Sequence, residues 1–437
     1  MTDQSNKLEK VVSLCKRRGF IFPGSEIYGG LSGFYDFGPL GTELKFNIKQ
    51  EWWKSVVRER DDVVGIDASI IMNSKAWEAS GHIGGFSDPL QECKKCHQRF
   101  KADEPMEECP NCGGKEFTES RRFNLMFKTY TGPLEDTASV AYLRPETAGG
   151  IFVNFKNVLD SSRVKVPFGI AQIGKAFRNE INPKDYIFRT REFEQMEMEY
   201  FVKPGEDEKY FKEWVDARFD WYAGIGLKNI KKREQTVQER AHYSKATVDI
   251  EYEFPFGSKE IEGIANRGDF DLKAHQEYSG QDMSYSDPTS KEKFIPYVIE
   301  PSAGADRIAL AVLIDAYEEE ESRVVLKLNP KLAPYKAAVF PLLANKPQLV
   351  EKAREVYVAL KKEIPQVTWD DNGNIGKRYR RQDEIGTPYC VTIDFDTLGE
   401  SGEEKKNTVT VRDRDSGEQI RVAIGDIKAK LSSADIF

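Results

Sequence analysis

Four of the six cysteines are spaced to hold a metal. Cys93-x2-Cys96 is followed, after twelve residues, by Cys109-x2-Cys112, whereas Cys15 and Cys390 stand alone. Each CxxC pair can turn two thiolates to one side of a tight knuckle, and two knuckles close a tetrahedron around Zn²⁺ at about 2.3 Å. Pro110 and Gly113-Gly114 suit the knuckle turns. Four thiolates leave no open position, so the expected zinc is structural, although ribbons of this kind also bind nucleic acid. His97 competes as a ligand, but one residue from Cys96 it is expected to point away. Met1 to Val12 are polar and lack the apolar stretch of a secretory signal, which favours a metal over disulfides. Cys15 and Cys390 read as ordinary buried thiols.

Two further clusters set charge on strands. The first is Phe177-Arg178-Asn179-Glu180, a short turn, then Phe188-Arg189-Thr190-Arg191-Glu192-Phe193-Glu194-Gln195-Met196-Glu197-Met198-Glu199. Strand alternation puts Phe193, Gln195, Glu197 and Glu199 on one face, with Glu194, Met196 and Met198 opposite, beneath the sheet. Three polar residues and one aromatic do not make a core face. The bland alternative is an exposed antiparallel sheet with cross-strand ion pairs. The second cluster is Glu300-Pro301-Ser302-Ala303-Gly304-Ala305-Asp306-Arg307, ahead of the apolar run Ile308 to Leu313. Small residues ending a strand let backbone approach a ligand, and an arginine in the first helical turn aims a guanidinium at phosphate. The plain alternative is a strand-to-helix turn with an arginine salt bridge. No GxxxxGK[ST] occurs and no GxGxxG follows a strand, so any ATP is held by a different apparatus.

The elements that must position these groups fall into two parts. The chain has 437 residues, 39% apolar and 31% charged, enough for more than one core. No run of 18 apolar residues appears, so no membrane span is expected and the default address is the cytosol. With 64 basic against 72 acidic residues the net charge is −8, which excludes nucleic-acid binding through bulk positive charge. Residues 331–437 carry 18 basic and 17 acidic residues, so polyanion contacts must come from local clusters such as Lys231-Lys232-Arg233 or Lys377-Arg378-Tyr379-Arg380-Arg381. Periodicity predicts helices over 5–18 and 40–60, the second with Leu40, Leu44, Ile48, Trp52 and Val56 on one face. Strands are expected at 63–71, 168–180, 190–202, 247–255, 259–266 and 295–302, and helices at 207–224 and 304–317, with a further helix opening at Pro145. That order implies an α+β domain over 1–330 built on an antiparallel sheet, interrupted by a four-cysteine insertion at about 91–116. Past Asn329-Pro330, strands near 337–340, 366–369 and 390–393 alternate with helices at 347–363 and 376–385. This predicts a small α/β domain over 335–437 with a mixed or parallel sheet.

Arg178-Asn179-Glu180 with Arg189-x3-Phe193 resembles motif 2 of the class II aminoacyl-tRNA synthetases, and Gly304-Ala305-Asp306-Arg307 resembles their motif 3. Within that class, Trp77-Glu78-Ala79-Ser80-Gly81-His82, Arg144-Pro145-Glu146-Thr147-Ala148, Phe193-Glu194-Gln195-Met196-Glu197 and Glu300-Pro301-Ser302-Ala303-Gly304 are similar to the dimeric glycyl-tRNA synthetases. Two departures stand out: Asp67-Ala68-Ser69 replaces the usual proline of motif 1, and Ser-Ala-Gly-Ala is poorer in glycine than most motifs 3. The resemblance implies a class II catalytic core with a six- to seven-stranded antiparallel sheet and flanking helices. It also implies a zinc-ribbon-like insertion and a C-terminal anticodon-binding domain. The implied activity is ATP- and Mg²⁺-dependent joining of glycine to tRNA(Gly) by a cytoplasmic homodimer.

The resemblance also implies roles for single residues. Arg178 would hold the α-phosphate and the incoming carboxylate, and Arg307 the γ-phosphate, assisted by Arg189 or Arg191. Phe193 would stack on adenine, and Glu180 would accept from its amino group. Asn179, Phe188, Gly263, Gly304 and Asp306 would complete the nucleotide site, with Glu262 near Mg²⁺. Glu197, Glu300 and Ser302, with Glu146 and Gln195, would cage the glycine ammonium, and Arg99 is a further candidate there. Two alternatives remain: a non-catalytic nucleic-acid-binding relative, and a synthetase for another small amino acid. The first would be expected to lose the phosphate arginines, which this sequence keeps.

Overall fold

The computed structural model describes residues 2–103, 106–241 and 244–432. Its N-terminal part begins with α1 (Thr2–Arg18) and α2 (Pro39–Trp53), followed by β1 (Val63–Gly65). Next come β2 (Phe168–Phe177), β3 (Glu192–Val202), α3 (Asp207–Gly224), β4 (Ile230–Glu234), β5 (Ala246–Phe254) and β6 (Gly257–Gly268). β7 (Tyr297–Gly304) runs directly into α4 (Ala305–Ala316).

The seven strands form one sheet in the order β4-β5-β6-β7-β3-β2-β1. Every pairing is antiparallel except that of β1 with β2. The expected antiparallel core is therefore present, with a single parallel edge. Strand 63–71 is shorter than predicted, ending at Gly65 apart from an isolated bridge between Ile71 and Leu143. The helix expected to open at Pro145 begins at Ala148, with Thr147 before it.

One face of the sheet is covered by helices. Leu40, Leu44, Ile48, Trp52 and Val56 are all buried, and a π-turn over Lys54–Arg58 keeps Val56 on the stripe. α4 is buried along almost its whole length, because its alanines at 305, 309, 311 and 316 let it lie close to its neighbours. Met196 and Met198 of β3 point into this core, as alternation requires. The opposite face of the central strands is open.

The cysteine-rich insertion forms a three-stranded sheet, with 87–92 between 99–101 and 121–124. The C-terminal part contains β8 (Ala337–Pro341), α5 (Pro347–Glu363), β9 (Val367–Trp369), α6 (Ile375–Ile385), β10 (Tyr389–Ile393), β11 (Thr408–Asp413) and β12 (Gln419–Ala423). Its mixed sheet has the order β9-β8-β10-β11-β12 and its own apolar core. Residues 433–437 of the predicted domain lie outside the described residues.

The two parts are bolted together by buried charge. Asp383 of α6 accepts from Arg412 at 2.7 and 3.1 Å and pairs with Arg323 at 3.1 Å, while Ile385 joins the N-terminal core. Of these pairs only Arg323–Asp383 crosses between the parts, and Arg323 also donates to Arg414 O at 2.8 Å. From α2, Asn47 donates to Leu332 O and Ala333 O and accepts from Gln366 Nε2 at 3.0 Å.

The basic run at 377–381 does not form the single phosphate-contacting cluster that its sequence suggested. Arg378 is 1% exposed and donates to the carbonyls of Pro341, Asp371 and Gly373. Arg381 binds Asp370 through two nitrogens, and Tyr379 shares a hydrogen bond with Thr392 against Phe340. Only Lys377 and Arg380 of the five are exposed. The amphipathic pattern of α6 explains this, since a five-residue run on a helix cannot face one way.

Candidate active site

Over the open face of β3, β7 and β6 lies a cleft of about 370 Å³. Arg178 and Arg307, 129 positions apart, both line it. Arg178 stands 5.4 Å from the ring centres of both Phe86 and Phe193 and donates to Pro145 O at 2.9 Å. Arg307 lies 4.4 Å over Phe188, donates to Phe188 O and Glu260 O, and approaches Glu260 Oε2 at 3.4 Å. Glu180, Arg189, Gly263, Gly304 and Asp306 line the same space.

Four of the predicted residues are elsewhere. Asn179 and Arg191 do not line the cleft: Asn179 donates its backbone N–H to Leu125 O, and Arg191 bonds Glu180 O and Ser32 O, fixing the loop around the turn. Arg99 is exposed on the insertion, 3.4 Å from Glu92. Glu262 is fully buried beneath the sheet, gripped by Arg218 of α3 at 2.7 and 3.2 Å. The reason is a register shift between β5 and β6 at Ile250/Glu251. The extra residue puts Ile261 and Glu262 on the same, lower side and leaves Glu260 and Gly263 facing the cleft.

The acidic end of the cleft is built by cross-strand pairing. Glu197 faces Ser302 in register, and Gln195 faces Gly304. Ser302 donates to Glu197 Oε1 at 2.5 Å, Gln195 Nε2 donates to the same oxygen at 3.3 Å and to Ser302 Oγ at 3.2 Å, and Thr147 donates to Glu197 Oε2. Arg267, which the sequence reading missed, donates to Glu300 Oε1 at 2.8 Å while gripping Asp271 with its other nitrogens. Glu146 completes the group. It is delivered by Arg144, whose guanidinium bonds Lys175 O and Ala68 O across Gly174. A Cβ at 174 would stand 2.2 Å from Arg144 Nη2, so only glycine admits this crossing. Glu197, Glu199 and Glu300 bring carboxylate oxygens within 4.8 Å of one another, and both oxygens of Glu199 lack a partner among the described residues.

Burial and mutual repulsion govern these acids. Burial, with Glu197 and Glu146 nearby, outweighs Arg267 and pushes Glu300 up to about 8. Glu197 is raised by burial and by the Glu146 charge, and Glu199 is raised well above the usual carboxylate range by burial and Glu300. Glu146 goes the other way: burial opposes its charge, but His82, Arg267 and Arg178 together hold it at about 2. Toward Arg307, burial likewise opposes the Glu194 charge, and Lys45 and Lys49 hold it at about 2. Lys45 reaches from α2 to Glu194 at 2.8 Å and Asp306 at 3.1 Å, tying two cleft-lining acids to the helical layer.

Asp249, Glu260, Gln235 and Thr247 also line the cleft without having been predicted. Nine carboxylates and three guanidiniums line it in all. Such a site suits a polyanion only with metal cations present, and it suits a small cation directly.

In the insertion, Cys93 and Cys112 sulfurs lie 3.7 Å apart, and Cys96 and Cys109 sulfurs 3.6 Å apart. These distances are too long for disulfides and match the roughly 3.8 Å edge of a ZnS₄ tetrahedron. All four thiolate positions share one site. His97 turns away to Glu92 at 2.8 Å. Cys15 and Cys390 are buried and apart.

Comparison with known proteins agrees with this geometry. Residues 127–317 match the tRNA synthetase class II core domain (G, H, P, S and T), and residues 336–434 match an anticodon binding domain. Glycine–tRNA ligases of Caldanaerobacter subterraneus and Clostridium acetobutylicum are each 53% identical to the chain, over 97% of it and 97% and 98% of their own lengths. That of Geobacillus thermodenitrificans is 51% identical over 100% of the chain and 99% of its own length. A chain that carries both domains in this order, at half identity over its full span, belongs to the glycine–tRNA ligase family of class II aminoacyl-tRNA synthetases.

Proposed function

We propose that this protein activates glycine with ATP and transfers it from glycyl-adenylate to the 3′ end of tRNA(Gly). The observation that carries the reading is the meeting of Arg178 and Arg307 over one cleft whose far wall is a hydrogen-bonded set of acids. Activation requires a carboxylate to attack the α-phosphorus of ATP, so two anions must be brought together and their repulsion offset by fixed cations and Mg²⁺.

In this reading Arg178 bridges the glycine carboxylate and the α-phosphate, and Arg307, with Arg189, takes the γ-phosphate. Adenine stacks on Phe193 with its amino group toward Glu180. Glu260 and Asp249, and not Glu262, face the space where Mg²⁺ would neutralise the phosphates. Glu146, Glu197, Glu300, Ser302 and Gln195 cage the ammonium. Because glycine has no side chain to hold, exclusion must come from walls: an added methyl meets packed carboxylates.

Residues 1–330 form the catalytic unit and 335–437 the anticodon-binding unit. A cytoplasmic address is part of this reading, since the proposed substrate is a tRNA. Among the described residues no helix is long and apolar enough to cross a membrane. Exposed Ile27, Tyr28 and Leu31, at 88, 86 and 59%, support a homodimer.

Amino-acid-dependent exchange of pyrophosphate into ATP, run across all amino acids, tests the assignment. Glycine alone is expected to support it. Exchange with serine, threonine or proline would assign another synthetase, and no exchange with any amino acid would assign a non-catalytic relative. The four cysteines are expected to hold one structural zinc per chain, with Cys109→Ser losing it. Metal analysis of purified protein checks this, and four freely titrating thiols in metal-free, fully folded protein would refute it.

A further inference from the structure

The segment Trp77 to His82 contains a histidine that neither the phosphate site nor the ammonium cage uses. His82 is largely buried, its ring edge-on to Trp77 at 5.5 Å and tilted against Phe86 at 5.3 Å. Its two nitrogens are both engaged. Nδ1 lies 2.8 Å from Ser80 Oγ, and Nε2 lies 3.4 Å from Glu146 Oε2. Whether Ser80 Oγ donates to Nδ1 of the neutral ring or accepts from the imidazolium, Nε2 carries a proton and faces the carboxylate. Phe86, packed on the other side of His82, is also the ring beneath the Arg178 guanidinium. One imidazole therefore buttresses the carboxylate that closes the ammonium site and, through Phe86, the guanidinium on the carboxylate side.

We propose that His82, oriented by Ser80, is a positioning residue that fixes the Glu146 carboxylate for the substrate ammonium. This rests on the glycine-activating reading above. Glu146 sits on a loop between the strand 140–142 and the helix Ala148–Val153, where its backbone alone does not set the carboxylate direction. Without a donor at Nε2, Glu146 can rotate away from the cage or toward Arg178, and glycine loses one charge-assisted contact. ATP loses no direct contact, because its γ-phosphate and adenine are assigned to Arg307, Arg189 and Phe193, and Arg178 keeps its bond to Pro145 O and its place over Phe193.

The test is steady-state pyrophosphate exchange by the full chain with glycine and ATP varied separately. His82→Leu, which keeps bulk but no donor, is expected to raise the KM for glycine about 10- to 100-fold, the loss of one hydrogen bond to a charged group. The KM for ATP should stay within about twofold. His82→Gln, whose amide nitrogen can stand near Nε2, should recover most of the loss. Ser80→Ala, which frees the ring without removing it, should raise the glycine KM in the same sense by less, and it keeps the test valid if His82→Leu does not fold. Equal effects of Leu and Gln, parallel rises of both KM values, or an unchanged glycine KM in Ser80→Ala and His82→Leu would overturn the proposal. Absence of glycine-dependent exchange in the unmodified protein would instead overturn the ligase reading itself.

Discussion

Arg307→Ala is expected to lower glycine-dependent pyrophosphate exchange about 10²- to 10³-fold, with the KM for ATP rising as well. That is the range for removing one fixed group that stabilises charge in a transition state. The loss is large here because the cleft is acidic. A guanidinium about 4 Å from a phosphate oxygen contributes on the order of 4 kcal/mol at an effective dielectric of 20. Removing it also frees the Glu260 carboxylate, now 3.4 Å from Arg307, to repel the same phosphates. Arg307→Lys should recover only part of the activity. Arginine meets Phe188 O, Glu260 O and the Phe188 ring at once through a planar fork, and an ammonium cannot. The Arg307 side chain is 28% exposed and makes no buried ion pair, so the melting temperature of either variant should stay within a few degrees of the parent. Exchange within tenfold of the parent at saturating ATP would remove Arg307 from the phosphate site.

The placement of Arg307 was readable from sequence because it depends only on local rules. A strand ending in small residues and running straight into a helix fixes where the first-turn side chain points, and β7 and α4 obey this. Alternation likewise put Phe193, Gln195 and Glu197 above the sheet and Met196 and Met198 below it. What was not readable depends on register between strands. The irregularity opposite Ile250/Glu251 has no turn residue to announce it, and it sends Glu262 down to Arg218 and Glu260 up. Arg267 was missed for a related reason: it sits on a strand among ordinary neighbours, and only pairing of Ala265 with Glu300 brings it to that carboxylate. The run at 377–381 shows that charge does not imply exposure: the Arg378 Nη atoms are spent on three carbonyls inside the domain. Long arginines can be consumed by backbone, and sequence alone does not mark which ones.

Glu300→Ala is expected to raise the KM for glycine about 10- to 100-fold while leaving the KM for ATP nearly unchanged, as loss of one charge-assisted contact to the ammonium requires. Arg267 keeps its two bonds to Asp271, so the fold tolerates the change. pH gives a sharper signature. Burial and its acidic neighbours push Glu300 up to about 8 and favour its protonated form. The glycine ammonium favours the ionised form, so binding releases a proton, and the glycine KM of the unmodified protein should fall as pH rises from about 6.5 to 8. Glu300→Gln mimics the protonated acid and should hold a flat, high glycine KM across that window. Stability should move the opposite way. A carboxyl raised from 4.5 to about 8 stabilises the fold fully only below its unfolded value, and that contribution is lost as pH rises through 8. Without glycine, the unmodified protein should therefore melt progressively lower across this range relative to Glu300→Gln, and saturating glycine should close the gap. Equal pH slopes of the glycine KM in the two proteins, or a rise in the KM for ATP matching that for glycine, would show that Glu300 does not face the ammonium.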